Sequence, residues 1–460
     1  MQATDEMEQA LDKDRKYLWH NILPYREDHR PMVGVRGEGS WITDLEGNKY
    51  LDGMSGMWCV NVGYGRTELA QAAYDQLAAL PYFPLTQSHL PAIQLAEKLN
   101  EWLEGEYVIF FSNSGSEANE VAFKIARQYQ QQIGQHYRHK FIARYRGYHG
   151  SSLGALSATG QAQRKFKYEP LAGGFLHVSP PDSYRRPAGL TLEQFSEQCA
   201  QAVEDMIIWE GAETVAAVIM EPVITGGGLL VPEASYVQRV RDICTRHGVL
   251  LIMDEVICGF GRSGRKFGHQ NFGIRPDVIT MAKGLTSGYL PLSATAVRKE
   301  IYEAFKDSEL HGHLRHVNTF GGNPAACALA LRNLEIMERE RLVERSQLLG
   351  ERLHQRLVAL NDHPLVGDIR CFGFMLGIEL VADKQTKEPV PLSVITGIIA
   401  ECKQKRLIIG KNGDTVAGFN NVLTLAPPLS STDEDVEFII QTLLQVMSIS
   451  RLEGLVGEAT

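Results

Sequence analysis

Along the middle of the chain, short uninterrupted apolar runs alternate with longer stretches whose apolar residues recur at helical spacing. Residues 106–132, EYVIFFSNSGSEANEVAFKIARQYQQQ, show the unit. Tyr107 to Phe111 reads as a buried strand, and Ala118, Val121, Ala122, Ile125, Ala126 and Tyr129 then follow one helix face. Between them, Ser114 and Glu117 have the capping-box spacing. A second unit joins YVQRVRDICTRHG to the apolar run VLLIMDEVICG. Val237, Val240, Ile243, Cys244 and His247 mark one helix face there, and Gly248 is its stop. VAAVIMEPV (215–223) and DVITMAKG (277–284) are further runs apolar enough to be buried on both faces. This alternation predicts an α/β fold with a mostly parallel central sheet and right-handed crossovers.

A long helix is expected within GGNPAACALALRNLEIMERE, with Asn323 as N-cap and Pro324 at its first position. Beyond it the texture changes. VGDIRCFGFMLGIELV and NVLTLAPPL read as strands of a smaller sheet, and STDEDVEFIIQTLLQVM as a closing helix with Ser431 and Glu434 at capping-box spacing. The expected division is an N-terminal segment over 1–60, a large unit over 61–335 and a smaller α+β C-terminal unit over 336–460, with the N-terminal segment packed on the last.

A chain of 460 residues buries a large core without disulfides. Its net charge of −9 gives no general basic footprint, which argues against nucleic-acid or membrane-surface binding. The seven cysteines are scattered and never form C-x-x-C, which points to a reducing compartment rather than a disulfide or zinc framework. The N-terminal residues are charged and lack the apolar core of a signal peptide, and no apolar run nears the ~18 residues of a membrane span. A cytoplasmic enzyme is the expectation.

Three motifs mislead. GFGRSG (259–264) has the dinucleotide-loop spacing, but RKFGHQNFGIRPD after it is a poor helix. GSSLG (150–154) has nucleophile-elbow spacing and would make Ser152 a hydrolase nucleophile, yet its residues suit a tight loop as well. HGHLRH (311–316) is rich in histidine without zinc-type spacing, so no metal site is expected.

Three other features fit one chemistry. The turn SNSGSE would present Gly115 and the backbone N–H groups of a helix start to an anion, with Ser114 and Ser116 as hydroxyl donors. An ordinary capped helix has the same pattern. In LLIMDEVICG, alternation sends Asp254 and Glu255 to opposite faces. A carboxylate at a parallel strand's C-terminal end lies where α/β folds bind ligands, although a loop-capping role is equally open to Asp254. In TMAKGLTSGYLP, Lys283 follows an apolar strand, where partial desolvation would free its amine as a nucleophile. A lysine reaching out to solvent has the same spacing. Lysine, carboxylate and phosphate cup together are what pyridoxal phosphate requires.

With these residues in place, the chain resembles the class III, fold type I aminotransferases from about Tyr17 to Gln445. EGSWITDLEGNKYLDGMSGMWCVNVGYG, FFSNSGSEANE, YRGYHGSSLGA, MEPV, TFGGNPAACALA and RCFGFMLGIEL agree, and the likeness is greatest to the ω-amino acid and amine:pyruvate group, including the taurine:pyruvate branch. The resemblance implies that Lys283 anchors the cofactor and moves the proton, and that Asp254 partners the pyridine nitrogen with Glu221 supporting it. It further implies a phosphate cup at Ser114, Gly115 and Ser116, and Tyr148 stacked on the ring with His149 beside it. Val256 would lie on the ring's other face. Thr319 would reach the phosphate from a neighbouring subunit, with Phe320 next to it. Trp58 would line the substrate pocket, and Tyr82 or Phe83 would do so from the partner.

The activity so implied is ping-pong transfer of an amino group from an ω-amino acid or primary amine, such as taurine or β-alanine, to pyruvate in a homodimer or tetramer. A diaminopelargonate or diamine aminotransferase, a serine hydrolase using Ser152 and an inactive cofactor-binding protein are the alternatives. One departure stands out. Where many amine:pyruvate members carry a movable arginine, this chain has Gly410 followed by Lys411, which lacks the bidentate fork. Arg146 is another candidate anion partner, with a purely structural role equally open.

Overall fold

The computed structural model describes residues 2–306, 310–413 and 418–448, so residues 1 and 449–460 of the expected terminal units lie outside the described residues. Near the N-terminus, strands β1 (Gly34–Glu38), β2 (Trp41–Asp44) and β3 (Lys49–Asp52) form an antiparallel run. The central sheet has seven strands: β4 (Tyr107–Ser112), β5 (Lys140–Arg144), β6 (Phe175–Val178), β7 (Val215–Met220), β8 (Leu250–Asp254), β9 (Val278–Met281) and β10 (Ser293–Arg298). Their spatial order is β4-β10-β9-β8-β7-β5-β6. From β9 across to β6 every pairing is parallel, and β10 alone runs antiparallel to both its neighbours. All of β7 and β8 is buried, as their continuous apolar runs require.

C-terminal to this lie β11 (Val366–Cys371), β12 (Leu376–Asp383), β13 (Glu388–Pro389), β14 (Leu407–Ile408), β15 (Gly410–Lys411) and β16 (Val422–Leu425). β11, β12, β16 and β15 make an antiparallel sheet, with β13 paired to β12. β14 instead pairs in parallel with β3, and the Trp41 indole N–H donates to Asp435 at 2.8 Å. Position 335 falls inside the helix Pro324–Arg339. One apolar cluster runs past it, from Leu51 and Leu69 through Met281 and Leu285 to Leu376, Leu425 and Val446.

The helix Gly115–Gln132 starts at Ser114 with both arms of the capping box formed. Asn323 accepts from two N–H groups at the start of Pro324–Arg339, which has Pro324 first. The closing helix, Asp433–Val446, departs from expectation by one residue. Thr432 and Asp435 form its box, not Ser431 and Glu434. Ser431 is fully buried, and its hydroxyl is taken by the Pro428 carbonyl and the Ser40 hydroxyl. The next hydroxyl along the chain therefore caps the helix.

Candidate active site

The C-terminal ends of the parallel strands converge on one cavity. It is lined by Gly115, Ser116, Asn119, Tyr148, His149, Gly150, Glu221, Asp254, Val256, Ile257, Cys258 and Lys283. β4 leads to Gly115, β5 to the Tyr148 loop, β7 to Glu221, β8 ends on Asp254, and β9 leads to Lys283. This is the place where open α/β sheets bind ligands.

Lys283 has φ +46°, a left-handed conformation that L-residues with a side chain seldom adopt. Strain of about 1–3 kcal/mol of this kind persists only where surrounding packing enforces it. Gly284 beside it is packed so closely that an added Cβ would clash with the Asn61 amide. Burial pushes the amine below its ordinary 10.5, against the opposing pull of Cys59, Asp254, Glu221 and Cys258. Among the described residues, no side chain or carbonyl accepts a hydrogen bond from it.

Asp254 is buried and held from several sides. One oxygen accepts from the Val256 N–H at 3.1 Å. The other accepts from the Asn119 amide at 2.9 Å and from Nδ1 of His149 at 2.8 Å. Asn119 is fixed in turn, donating to the His149 carbonyl and accepting from Thr280. Glu255 turns the other way, where its carboxylate takes the Gly268 and His269 N–H groups and the His269 ring. Glu221 accepts from the Tyr148 N–H and from Thr225, and burial raises its carboxyl above the usual range. Tyr148 and Val256 both line the cavity.

At the helix start, a Cβ on Gly115 would meet both methyls of Val256 at 3.0 Å, so the turn lies flat against that residue. The Ser116 hydroxyl accepts from the Ser151 N–H at 3.1 Å and keeps its own proton to donate. Ser114 is exposed, and its oxygen serves the cap. These groups fit pyridoxal phosphate. Lys283 offers an unpaired amine, Asp254 a carboxylate for the ring nitrogen, Tyr148 and Val256 the ring's flanks, and the helix start an anion cup.

The other expected residues are dispersed. Trp58 is buried in a cluster with Val223, Leu229, Met375, Ala426 and the cavity-lining Cys258. Tyr82, Phe83, Thr319 and Phe320 are exposed and line no part of the Lys283 cavity. Tyr82, Thr319 and Phe320 form a patch of their own: the Tyr82 hydroxyl donates to the Thr319 carbonyl at 3.0 Å, and its ring meets Phe320 edge-on at 6.3 Å. Arg146 is corrected to a structural residue. It is buried, paired with Asp182 at 2.6 Å, and donates to the Gly227 carbonyl through Nε and Nη2. Gly410 is hemmed in, since an added Cβ would meet Met54 at 2.7 Å and Thr424 at 2.8 Å. Lys411, half-buried, follows it in β15.

Ser152 is also corrected. Its hydroxyl donates to Glu120 at 2.6 Å, with no histidine on it, and the loop that carries it does not follow directly on a strand. GFGRSG is a turn in which Gly261 and Gly264 have positive φ, and Arg262 is fully buried against Pro427, Ser55 and Asn61. His316 lies against Phe110 and Lys124, and no cluster of metal ligands occurs among the described residues. Sequence reasoning missed Asn119 and Thr280, and named His149 without its carboxylate. The one available signal was the polar residue Asn119 inside an otherwise apolar helix face.

Comparison with known proteins shows the family. The class-III aminotransferase family model matches residues 22–447. An uncharacterized aminotransferase of Bacillus subtilis is 60% identical over 444 residues, covering 96% of this chain and 97% of that protein. A taurine–pyruvate aminotransferase of Bilophila wadsworthia is 42% identical over 435 residues, covering 94% of each. The crystal structure of a Bacillus anthracis aminotransferase superposes with a TM-score of 0.93 at 57% identity, covering 96% of this chain and 99% of that one. The chain belongs to the class-III aminotransferases, with the fold type I architecture. It is accordingly an enzyme, a transaminase that uses pyridoxal phosphate.

Proposed function

We propose that the chain transfers an amino group from an ω-amino acid or primary amine, of the taurine or β-alanine kind, to pyruvate by ping-pong turnover. The observation that carries this reading is the unpaired Lys283 amine in one cavity with an Asp254 anchored by His149 and Asn119. Likeness to a taurine–pyruvate aminotransferase supports the substrate class. When bound, pyridoxal phosphate supplies the electron sink that lets the amine's carbon release a proton. Lys283, whose neutral amine burial favours, takes that proton and returns it. Asp254 holds charge at the ring nitrogen, Tyr148 and Val256 clamp the ring, and Gly115 and Ser116 take the phosphate.

Thr319, Phe320, Tyr82 and Phe83 then act from the second subunit of a homodimer, which accounts for a patch exposed and apart from Lys283 in one chain. Residues 61–335 would carry the cofactor, 336–460 would form the smaller unit, and the enzyme would work in the cytoplasm. A donor panel of taurine, β-alanine, putrescine, an aryl alkyl amine and S-adenosylmethionine, with pyruvate as acceptor and alanine measured, tests the reading. Alanine should form fastest from taurine or β-alanine. Alanine from putrescine alone would favour a diamine enzyme, and turnover of S-adenosylmethionine alone a diaminopelargonate synthase. Alanine from none would refute the proposal.

A further inference from the structure

Taurine, β-alanine and pyruvate all carry an anionic end that must be held while the other end reacts. The nearby cations are mostly committed. Arg146 serves Asp182 and the Gly227 carbonyl, Arg262 is locked in the core, and the Lys165 ammonium donates to the Ser157 carbonyl. A side chain at position 410 would have to displace the end of Met54 and the Thr424 hydroxyl, which crowd the place of its Cβ.

Arg164 differs from these. It lies half-buried in the short helix Ala162–Lys165, and its Nε donates to Oε1 of Gln161 at 2.6 Å. Gln161 is itself buried and fixed by donating to the Arg146 carbonyl at 2.9 Å. The guanidinium sits 4.7 Å from the centre of the Tyr148 ring, and Tyr148 lines the Lys283 cavity. On the other side, a Cβ added at Gly413 would come within 3.2 Å of Nη2. Among the described residues, nothing accepts a hydrogen bond from Nη1 or Nη2. The guanidinium is thus anchored along one edge and stacked on one face, while its forked end is left for a carboxylate or sulfonate.

We propose that Arg164 binds the anionic end of donor and acceptor, held in place by Gln161 and Tyr148, with glycine at 413 keeping the space beside it. This assignment rests on the aminotransferase reading with anionic substrates. It also explains how a chain with glycine at 410 can still recognise them.

The test is calorimetric titration of the holoenzyme with propionate and with methanesulfonate, unreactive anions without an amine. Arg164→Gln should weaken both by about tenfold to a hundredfold, the range for losing a charge-assisted hydrogen bond. Arg164→Lys, which keeps the charge and loses the fork, should fall between it and wild type, and it stands in should Arg164→Gln fail to fold. The ratio of kcat/KM for β-alanine to that for an alkylamine without an anionic group should fall in parallel. Equal anion affinity in wild type and both variants, or no measurable binding to wild type, overturns the assignment. Wild-type enzyme that makes no alanine from any donor overturns the parent reading instead, and the titrations still report on Arg164.

Discussion

Lys283 combines a left-handed backbone with a desolvated amine, and both work against folding. Lys283→Ala should reduce alanine formation by at least about the 10²–10⁴-fold attributable to positioned acid–base catalysis. The same residue makes a prediction about stability. Its folded-state pKa lies below the ordinary 10.5, so below the folded value the charge is buried at full cost, and that cost disappears as pH rises towards 10.5. In the apoprotein, Lys283→Met should therefore raise Tm most at neutral pH and least near pH 10.5, measured by thermal unfolding across that range. An equal shift at both ends would contradict it. For Asp254, the structure adds what the sequence could not show. Lysine, aspartate and glycine turn were legible because each follows an apolar run at a strand's end. Asn119 and His149 were not legible as the carboxylate's partners, because they reach Asp254 from other elements and only folding brings them near. Asp254→Asn should lower kcat by about a hundredfold, and His149→Ala by about tenfold, as expected when a charged hydrogen bond is lost.

At the scale of elements, periodicity identified β4, β7, β8 and β9 because each is a predominantly apolar run bounded by helical patterns or turns. β10 carried no such mark. Its sequence SATAVR is rich in small and polar residues, yet five of its six residues are buried, sandwiched in the sheet between β4 and β9. There the space between neighbours selects small side chains, and burial is set by topology rather than by hydrophobicity. The closing helix shows the same limit at a cap. STDE offers two adjacent hydroxyls, and only the burial of Ser431 against Ser40 and Pro428 decides between them. Thr432→Ala should thus destabilise the protein by about 1 kcal/mol in chemical denaturation, the usual cost of losing an N-cap. Glu434→Gln should leave stability within about 0.5 kcal/mol, since Glu434 is exposed and does not close the box. A larger loss from Glu434→Gln than from Thr432→Ala would restore the cap one residue earlier.

The whole molecule poses the question of how many chains one site needs. The cavity around Lys283 and the patch of Tyr82, Thr319 and Phe320 share no lining residue, although both carry groups that the family resemblance assigns to one cofactor site. In a single chain that is a contradiction; in a two-fold dimer it is the expected geometry, because each subunit can present its patch to the other's cavity. The patch is also apolar for an exposed surface, with Phe320 65% and Val317 75% accessible, as an interface left open in one chain would be. Mixing two inactive variants separates the possibilities. Lys283→Ala removes the amine, and Thr319→Asp places a negative charge where the phosphate would be contacted. In the proposed homodimer, co-refolding in equal amounts would make half of the dimers mixed. If Thr319 acts across the interface, one site of each mixed dimer keeps both its own Lys283 and the partner's Thr319, and activity should recover to about a quarter of wild type. If Thr319 acts within its own chain, every site in the mixed dimers retains one lesion, and the mixture should stay as inactive as its components.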